Sequence, residues 1–349
     1  MADSPRLAAL LERFREGKTV ALARAISMVE DERHGFQELL HAVLTRGPSA
    51  RRVGLTGPPG AGKSSLLASI ASAYRARSER LGVVAVDPTS PYSGGALLGD
   101  RIRMSDLATD PGVFIRSMAS RGSLGGLATT TKEVIDLMDA FGFDRILVET
   151  VGVGQTELAI TAAADTVVVV LVPESGDAIQ AMKAGLMEIA DVFIVNKADR
   201  PGSARLVKEI RQALHLRAGH ALEDVPAHHG VDLGRVGRAA AAAARPPAPT
   251  GAWEIPVLTT NALTGEGLPE VVEALDGHQK WLEVSGQLGA RRRARAGVRV
   301  RDVVERELRR AAWSSDAVRA RLEGGLDRIE AGEGTPYSVA EEILALLLR

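Results

Sequence analysis

The chain has 349 residues, 45% apolar but only 3% aromatic, enough for one large α/β domain with appendages or for two domains, with cores filled by Ala, Leu and Val. Its 43 basic and 44 acidic side chains leave a formal charge of −1, which excludes an overall field drawing it to nucleic acid or anionic lipid. There is no cysteine, so disulfides, thiolate metal sites and thiol catalysis are excluded, in keeping with a reducing cytosol.

The N-terminal stretch MADSPRLAALLERFREG lacks the apolar core of a secretory signal. The longest strongly apolar run, TVVVVLV at 166–172, is too short to span a bilayer, so a cytoplasmic protein with neither membrane nor nucleic acid as partner is expected. Residues 5–45 place Leu7, Leu10, Leu11 and Phe14, then Leu22, Ile26 and Val29, at helical spacing, which predicts two helices broken near Gly17. TRGPSARR, 45–52, reads as a linker into a first strand, Val53–Thr56. GVVAVD (82–87), VFIRS (113–117), RILVET (145–150), TVVVVLV (166–172), VFIVNK (192–197) and PVLTT (256–260) then alternate with helix-length segments. Continuously apolar strands in that order predict an α/β fold with a mostly parallel sheet covered on both faces. Poly-Ala followed by RPPAPTG marks a surface insertion at about 217–255, and beyond Gly277 periodic charged stretches such as RVRDVVERELRRAAW (299–313) predict amphipathic helices. The boundaries that follow are a helical extension over 1–45, a nucleotide-binding domain over 46–276 and a helical segment over 277–349.

Gly57, Pro58, Pro59, Gly60, Ala61, Gly62, Lys63 and Ser64 fit G-x-x-x-x-G-K-(S/T) between a predicted strand and a helix that continues through Ser65. Glycines let successive backbone N–H groups turn inward, and the helix N-terminus adds its positive end, so the loop is expected to hold a polyphosphate. Lys63 would reach the β- and γ-phosphates and Ser64 would bind Mg²⁺. Asn196, Lys197 and Asp199 form N-K-x-D after the strand VFIV. A carboxylate accepts from guanine N1–H and the 2-amino group, whereas adenine offers neither donor, so GTP and GDP are the expected ligands. In TTNALTGEGL (259–268), Asn261, Ala262 and Leu263 are the supporting base loop, with the Ala262 N–H expected against the guanine 6-oxo group. Acids at strand ends supply candidate metal ligands: Glu149, followed by Thr150, Val151 and Gly152, and Asp87, with Asp100 in the loop YSGGALLGDRIRM. Val153 stands where Ras-type GTPases carry a water-orienting Gln, so unaided hydrolysis is expected to be slow. Lys63, Asp87, Glu149 and Gln155 are the candidate catalytic groups.

AVDPTSPYSGGALLGDRIRM, ETVGVGQTE and ESGDAIQAMKAGLMEIAD running into NKAD closely resemble the MeaB/ArgK-type GTPases. These are the methylmalonyl-CoA mutase-associated members of a P-loop GTPase family that also contains metallochaperones. The likeness covers about residues 5–330. It implies a G domain flanked by an N-terminal helical extension and a C-terminal helical arm used for homodimerisation. It also implies a partner, an adenosylcobalamin-dependent acyl-CoA mutase. The GTPase would gate the mutase's cofactor loading from a cobalamin adenosyltransferase and protect or reactivate it, with GTP as the timer. By resemblance Asp87, Asp100 and Glu149 join Ser64 around Mg²⁺, and the loop 173–183, with Lys183 following, is a partner-sensing switch. The insertion after Leu216 departs from the family pattern, and its His220, His228 and His229 read with His215 as exposed side chains rather than a metal store. A nickel or zinc metallochaperone is the alternative, disfavoured by the absence of Cys. A small-molecule kinase is a third, disfavoured by the guanine motif.

Overall fold

The computed structural model describes residues 5–45, 47–87, 105–119, 129–150, 159–173, 185–217 and 251–347. They belong to two compact units, Met1–Arg292 and Arg293–Arg349.

The first unit opens with three helices, α1 (Pro5–Arg15), α2 (Thr19–Glu30) and α3 (Phe36–Val43), where sequence periodicity predicts two. The second break follows Glu30: Glu32 (φ 45°) and Gly35 (φ 86°) are both left-handed, a conformation that cannot continue a right-handed helix. Phe14, Leu22, Ile26, Val29, Phe36 and Leu39 are buried, and Phe14 meets Phe141 edge-on with ring centroids 5.2 Å apart.

All seven predicted strands are present: β1 (Arg51–Thr56), β2 (Leu81–Asp87), β3 (Val113–Ala119), β4 (Arg145–Thr150), β5 (Thr166–Leu171), β6 (Val192–Asn196) and β7 (Val257–Thr260). They form one sheet in the order β3-β2-β4-β1-β5-β6-β7, and every pairing is parallel. Helices α4 (Lys63–Arg75), α5 (Thr129–Phe141), α6 (Ser203–Arg217) and α7 (Leu268–Val284) are the longer helices among the unit's remaining described residues, with short helical turns at Ser105–Ala108, Ile160–Ala162 and Met187–Ile189, and α7 runs through Gly277 without interruption. Alternate strand residues enter opposite cores. Ile146, Val148, Val167 and Val169 pack with α2 and α5, whereas Leu147, Val168, Val170 and Ile194 pack with α4 and α7. β1 lies between β4 and β5, where chain progression across the sheet reverses, and open parallel sheets form their ligand crevice outside the carboxyl ends of the strands at such a point.

The opposite ends of the strands are held by buried charge. Asp191, just before β6, accepts from Val167 N–H (2.9 Å) and from both terminal nitrogens of Arg291 (2.9 Å each). Its Oδ1 also lies 3.3 Å from Nε2 of the fully buried His278, whose Nδ1 meets Thr166 Oγ1 at 2.8 Å. Asp165, just before β5, is paired with Arg292 at 2.7 Å. Burial opposes the Asp191 charge, but the Arg291 guanidinium bonded to it and the adjacent His278 ring outweigh it and hold the carboxyl below the usual carboxylate range. A carboxyl depressed in the folded state adds stability that is complete above its unfolded value of about 4 and is lost as pH falls through the lower folded value. Thermal unfolding followed from pH 6 down to about pH 3 is therefore expected to show a falling midpoint, with Asp191→Asn less stable at neutral pH and flatter below about pH 4. An unchanged slope in that variant would show that Asp191 does not contribute to the acid sensitivity of the fold.

Helix α8 (Gln287–Ser314) starts in the first unit and continues into the second, which adds α9 (Asp316–Glu330) and α10 (Pro336–Leu347). The Ser315 hydroxyl caps α9 by accepting from Val318 N–H. Val318, Val339 and Ile343 form a small core, flanked by an Arg328–Glu342 ion pair at 2.7 Å. On α8, Val300, Val304, Leu308 and Trp313 are all exposed, Val300 and Leu308 by more than 60% (62% and 65%). Among the described residues no helix is long and apolar enough to cross a membrane.

Candidate nucleotide site

At the carboxyl end of β1, Thr150 donates a hydroxyl hydrogen bond to Thr56 Oγ1 at 3.1 Å, tying the end of β4 to the strand that feeds the loop. Gly57 follows with φ 136°. A Cβ there would stand 2.1 Å from the Val170 carbonyl oxygen of β5, so the close approach of loop and sheet demands glycine. The chain passes the exposed Pro59 and Gly60 and re-enters at Ala61 and Gly62, where Gly62 (φ 81°) precedes the first turn of α4. Lys63 is 5% exposed, and its ammonium folds back to donate to Gly57 O (2.8 Å) and Pro58 O (2.9 Å). That places its charge over the hollow of the loop.

Ser64 and Glu149, 85 residues apart in sequence, are brought together by the pairing of β1 with β4. Ser64 donates its hydroxyl to Glu149 Oε1 at 2.7 Å, and both side chains are buried. Two hard oxygens in this position suit Mg²⁺, which retains several waters and binds through one or two carboxylates plus phosphate oxygens. Among the described residues no group of three or more His, Asp or Glu side chains is placed to hold a metal ion by itself. Asp87 closes β2 opposite Ala119 of β3. Asp100, Gly152, Gln155, the loop beyond Pro173 with Lys183, and His220, His228 and His229 lie outside the described residues.

Asn196, at the end of β6, joins the phosphate loop to the base loop. Its Nδ2 donates to Ala61 O (2.8 Å) and its Oδ1 accepts from Ala262 N–H (3.1 Å). A Cβ on Gly62 would lie 2.4 Å from that Nδ2, so glycine is needed here for the bridge as well as for φ. The Ala262 N–H, expected to face the guanine 6-oxo group, is thus donated to Asn196 in this structure. Lys197 turns the chain through a left-handed φ of 56°. Asp199 is exposed, with Oδ1 accepting from Asn261 Nδ2 at 2.9 Å. Asn261 also shapes its own loop, its Oδ1 accepting from Leu263 N–H at 3.0 Å. Ser69, one turn after Ser65, donates to both Ser65 O and Ala262 O (3.1 Å each), fastening α4 to the base loop. The sequence motifs contain Asn196 but not its bridging role, and nothing in them marks Ser69.

A glycine-rich loop leaving a central parallel strand, bridged by Asn196 to a loop whose Asn261 holds the exposed Asp199, defines a P-loop nucleotide-binding domain of the guanine-reading type. The family model described as methylmalonyl Co-A mutase-associated GTPase MeaB matches residues 22–317, and the chain belongs to that family. It is 42% identical over 335 residues to a Pyrococcus abyssi protein whose name describes it provisionally as a GTPase, covering 96% of this chain and 95% of that one. It is 33% identical over 292 residues to GTPase ArgK of Escherichia coli (82% and 80% covered), and 31% identical over 346 residues to the mouse methylmalonic aciduria type A homolog, mitochondrial (94% and 76%). The crystal structure of an LAO/AO transport system kinase shares the fold along 100% of both chains, with a TM-score of 0.65 at 24% identity.

Proposed function

We propose that this chain is a GTP-hydrolysing chaperone of an adenosylcobalamin-dependent acyl-CoA mutase, acting as a homodimer and gating the mutase's cofactor loading or reactivation. The observation that carries the nucleotide half is the Asn196 bridge, which sets a phosphate cradle and an exposed carboxylate at fixed separation. Lys63 binds the β- and γ-phosphates, and the loop N–H groups with the α4 N-terminus hold the rest of the polyphosphate. Asp199, oriented by Asn261, accepts from guanine N1–H and the 2-amino group; each carboxylate oxygen has two lone pairs, so Asn261 orients it without blocking it. Ser64 and Glu149, with Asp87 and Asp100, would hold Mg²⁺, which when bound neutralises charge on the β- and γ-phosphates. Gln155 and Asp87 are the groups proposed to orient the attacking water, since Val153 cannot.

The partner half rests on family membership. The homodimer reading is supported by the exposed apolar positions of α8, because such a helix face is stable when covered. Size-exclusion chromatography with light scattering is expected to give a dimer for the parent and a monomer for Val300→Asp/Leu308→Asp. The parent dimer is also expected to co-elute with a cobalamin-dependent acyl-CoA mutase to different extents in GTP-analogue and GDP. A variant that stays dimeric would exclude the α8 face, and absence of co-elution in either nucleotide would exclude the mutase.

A further inference from the structure

The N-terminal helices enclose a groove of about 720 Å³ that takes no part in the nucleotide site. Its apolar floor includes Leu10 of α1 and Val20 and Met28 of α2, and Val20 is 59% exposed. Arg6 and Arg13 of α1 and Arg24 of α2 stand on its walls, all exposed. Arg33, also on the wall, is paired with Asp31 at 2.6 Å, whereas Arg6, Arg13 and Arg24 form no ion pair with any described residue.

Charge in this region is sorted rather than scattered. Residues 5–45 carry Glu12, Glu16, Glu30, Asp31, Glu32 and Glu38, enough to neutralise every arginine there, yet among the described residues Glu38 is the one acid on the groove wall. Arg6 and Arg13 are seven residues apart on α1, hence two helical turns and about 10 Å apart on one face. Leu10 lies between them on that face. Such a pattern is the complement of a helix bearing carboxylates at i and i+7 and apolar side chains at i+3 and i+4. Met28 supplies a flexible apolar surface suited to an inserted side chain.

We propose that this groove docks an acidic amphipathic helix of a partner protein, its carboxylates on Arg6, Arg13 and Arg24 and its apolar stripe on Leu10, Val20 and Met28. The inference does not depend on the nucleotide reading, and its failure would leave GTP binding untouched. The test uses the full chain and a fluorescent helical peptide with Glu at i and i+7 and Leu at i+3 and i+4, followed by anisotropy. Saturable binding is expected, weakened about tenfold or more by Arg6→Glu/Arg13→Glu/Arg24→Glu, by Gln in place of the peptide's Glu, and by added salt. Val20→Asp, at an exposed position that should not disturb folding, is expected to weaken binding similarly. Circular dichroism and basal GTP hydrolysis should be unchanged in both variants, which separates lost docking from lost structure. Equal binding by the charge-reversed protein, or by the Gln peptide, would overturn the proposal. Displacement of the peptide by equimolar inorganic tripolyphosphate would overturn it in favour of a small-anion site, and no binding up to millimolar peptide would overturn it outright.

Discussion

Asp199→Asn is expected to lower GTP affinity by about 10²–10⁴-fold, because two hydrogen bonds to an ionised acceptor, at roughly 1.5–3 kcal/mol each, are replaced by one acceptor and one misplaced donor. The carboxylate is exposed and held by Asn261 at 2.9 Å, so the variant should fold as the parent does. An amide at this position turns an N–H toward the guanine 2-amino group, where two donors face each other. Xanthine carries an oxo group there, so xanthosine triphosphate should bind the variant better than GTP. Calorimetric titration of both proteins with the two nucleotides checks the expectation. A variant that keeps the parent's affinity and preference would show that Asp199 does not read the base.

Gly57→Ala should be the more damaging change to the fold itself, costing roughly 3–5 kcal/mol. Its φ of 136° lies where L-residues are strained by about 1–3 kcal/mol. The added methyl would meet the Val170 backbone oxygen at 2.1 Å, where the neighbour belongs to β5 and cannot swing aside. Gly60→Ala is the internal comparison. Its φ of 75° is also left-handed, but a Cβ there meets nothing within 4 Å, so a loss of only about 1–2 kcal/mol is expected. Denaturant unfolding of both variants without nucleotide would separate them. Equal stabilities would mean that the contact between loop and β5 is not held as described.

Much of this architecture was legible because it is local. The seven strands announce themselves as short apolar runs, and the phosphate loop and N-K-x-D each lie within a few residues, directly after a strand. What could not be read is what the fold brings together from afar. Asn196 reaches Ala61 across 135 residues, Arg291 reaches Asp191 across 100, and Arg292 reaches Asp165 across 127. No periodicity encodes such pairs. The break between α2 and α3 is hard to read for a different reason: beside Gly35 it depends on Glu32 adopting a positive φ, which a charged residue does not advertise. The bond from Ala262 N–H to Asn196 is likewise invisible in N-K-x-D, because it joins that motif to a loop 66 residues further along the chain.

GTP turnover by the 349-residue chain, measured with Mg²⁺ in the presence and absence of a cobalamin-dependent acyl-CoA mutase, decides whether a mutase is the partner of this GTPase. Hydrolysis is expected to be slow alone, since Val153 cannot orient water, and at least about tenfold faster with the mutase, as when a partner completes an electrostatic site. The acceleration should be reduced by Lys183→Ala while the unstimulated rate is nearly unchanged. Turnover that no such mutase alters would contradict that partnership.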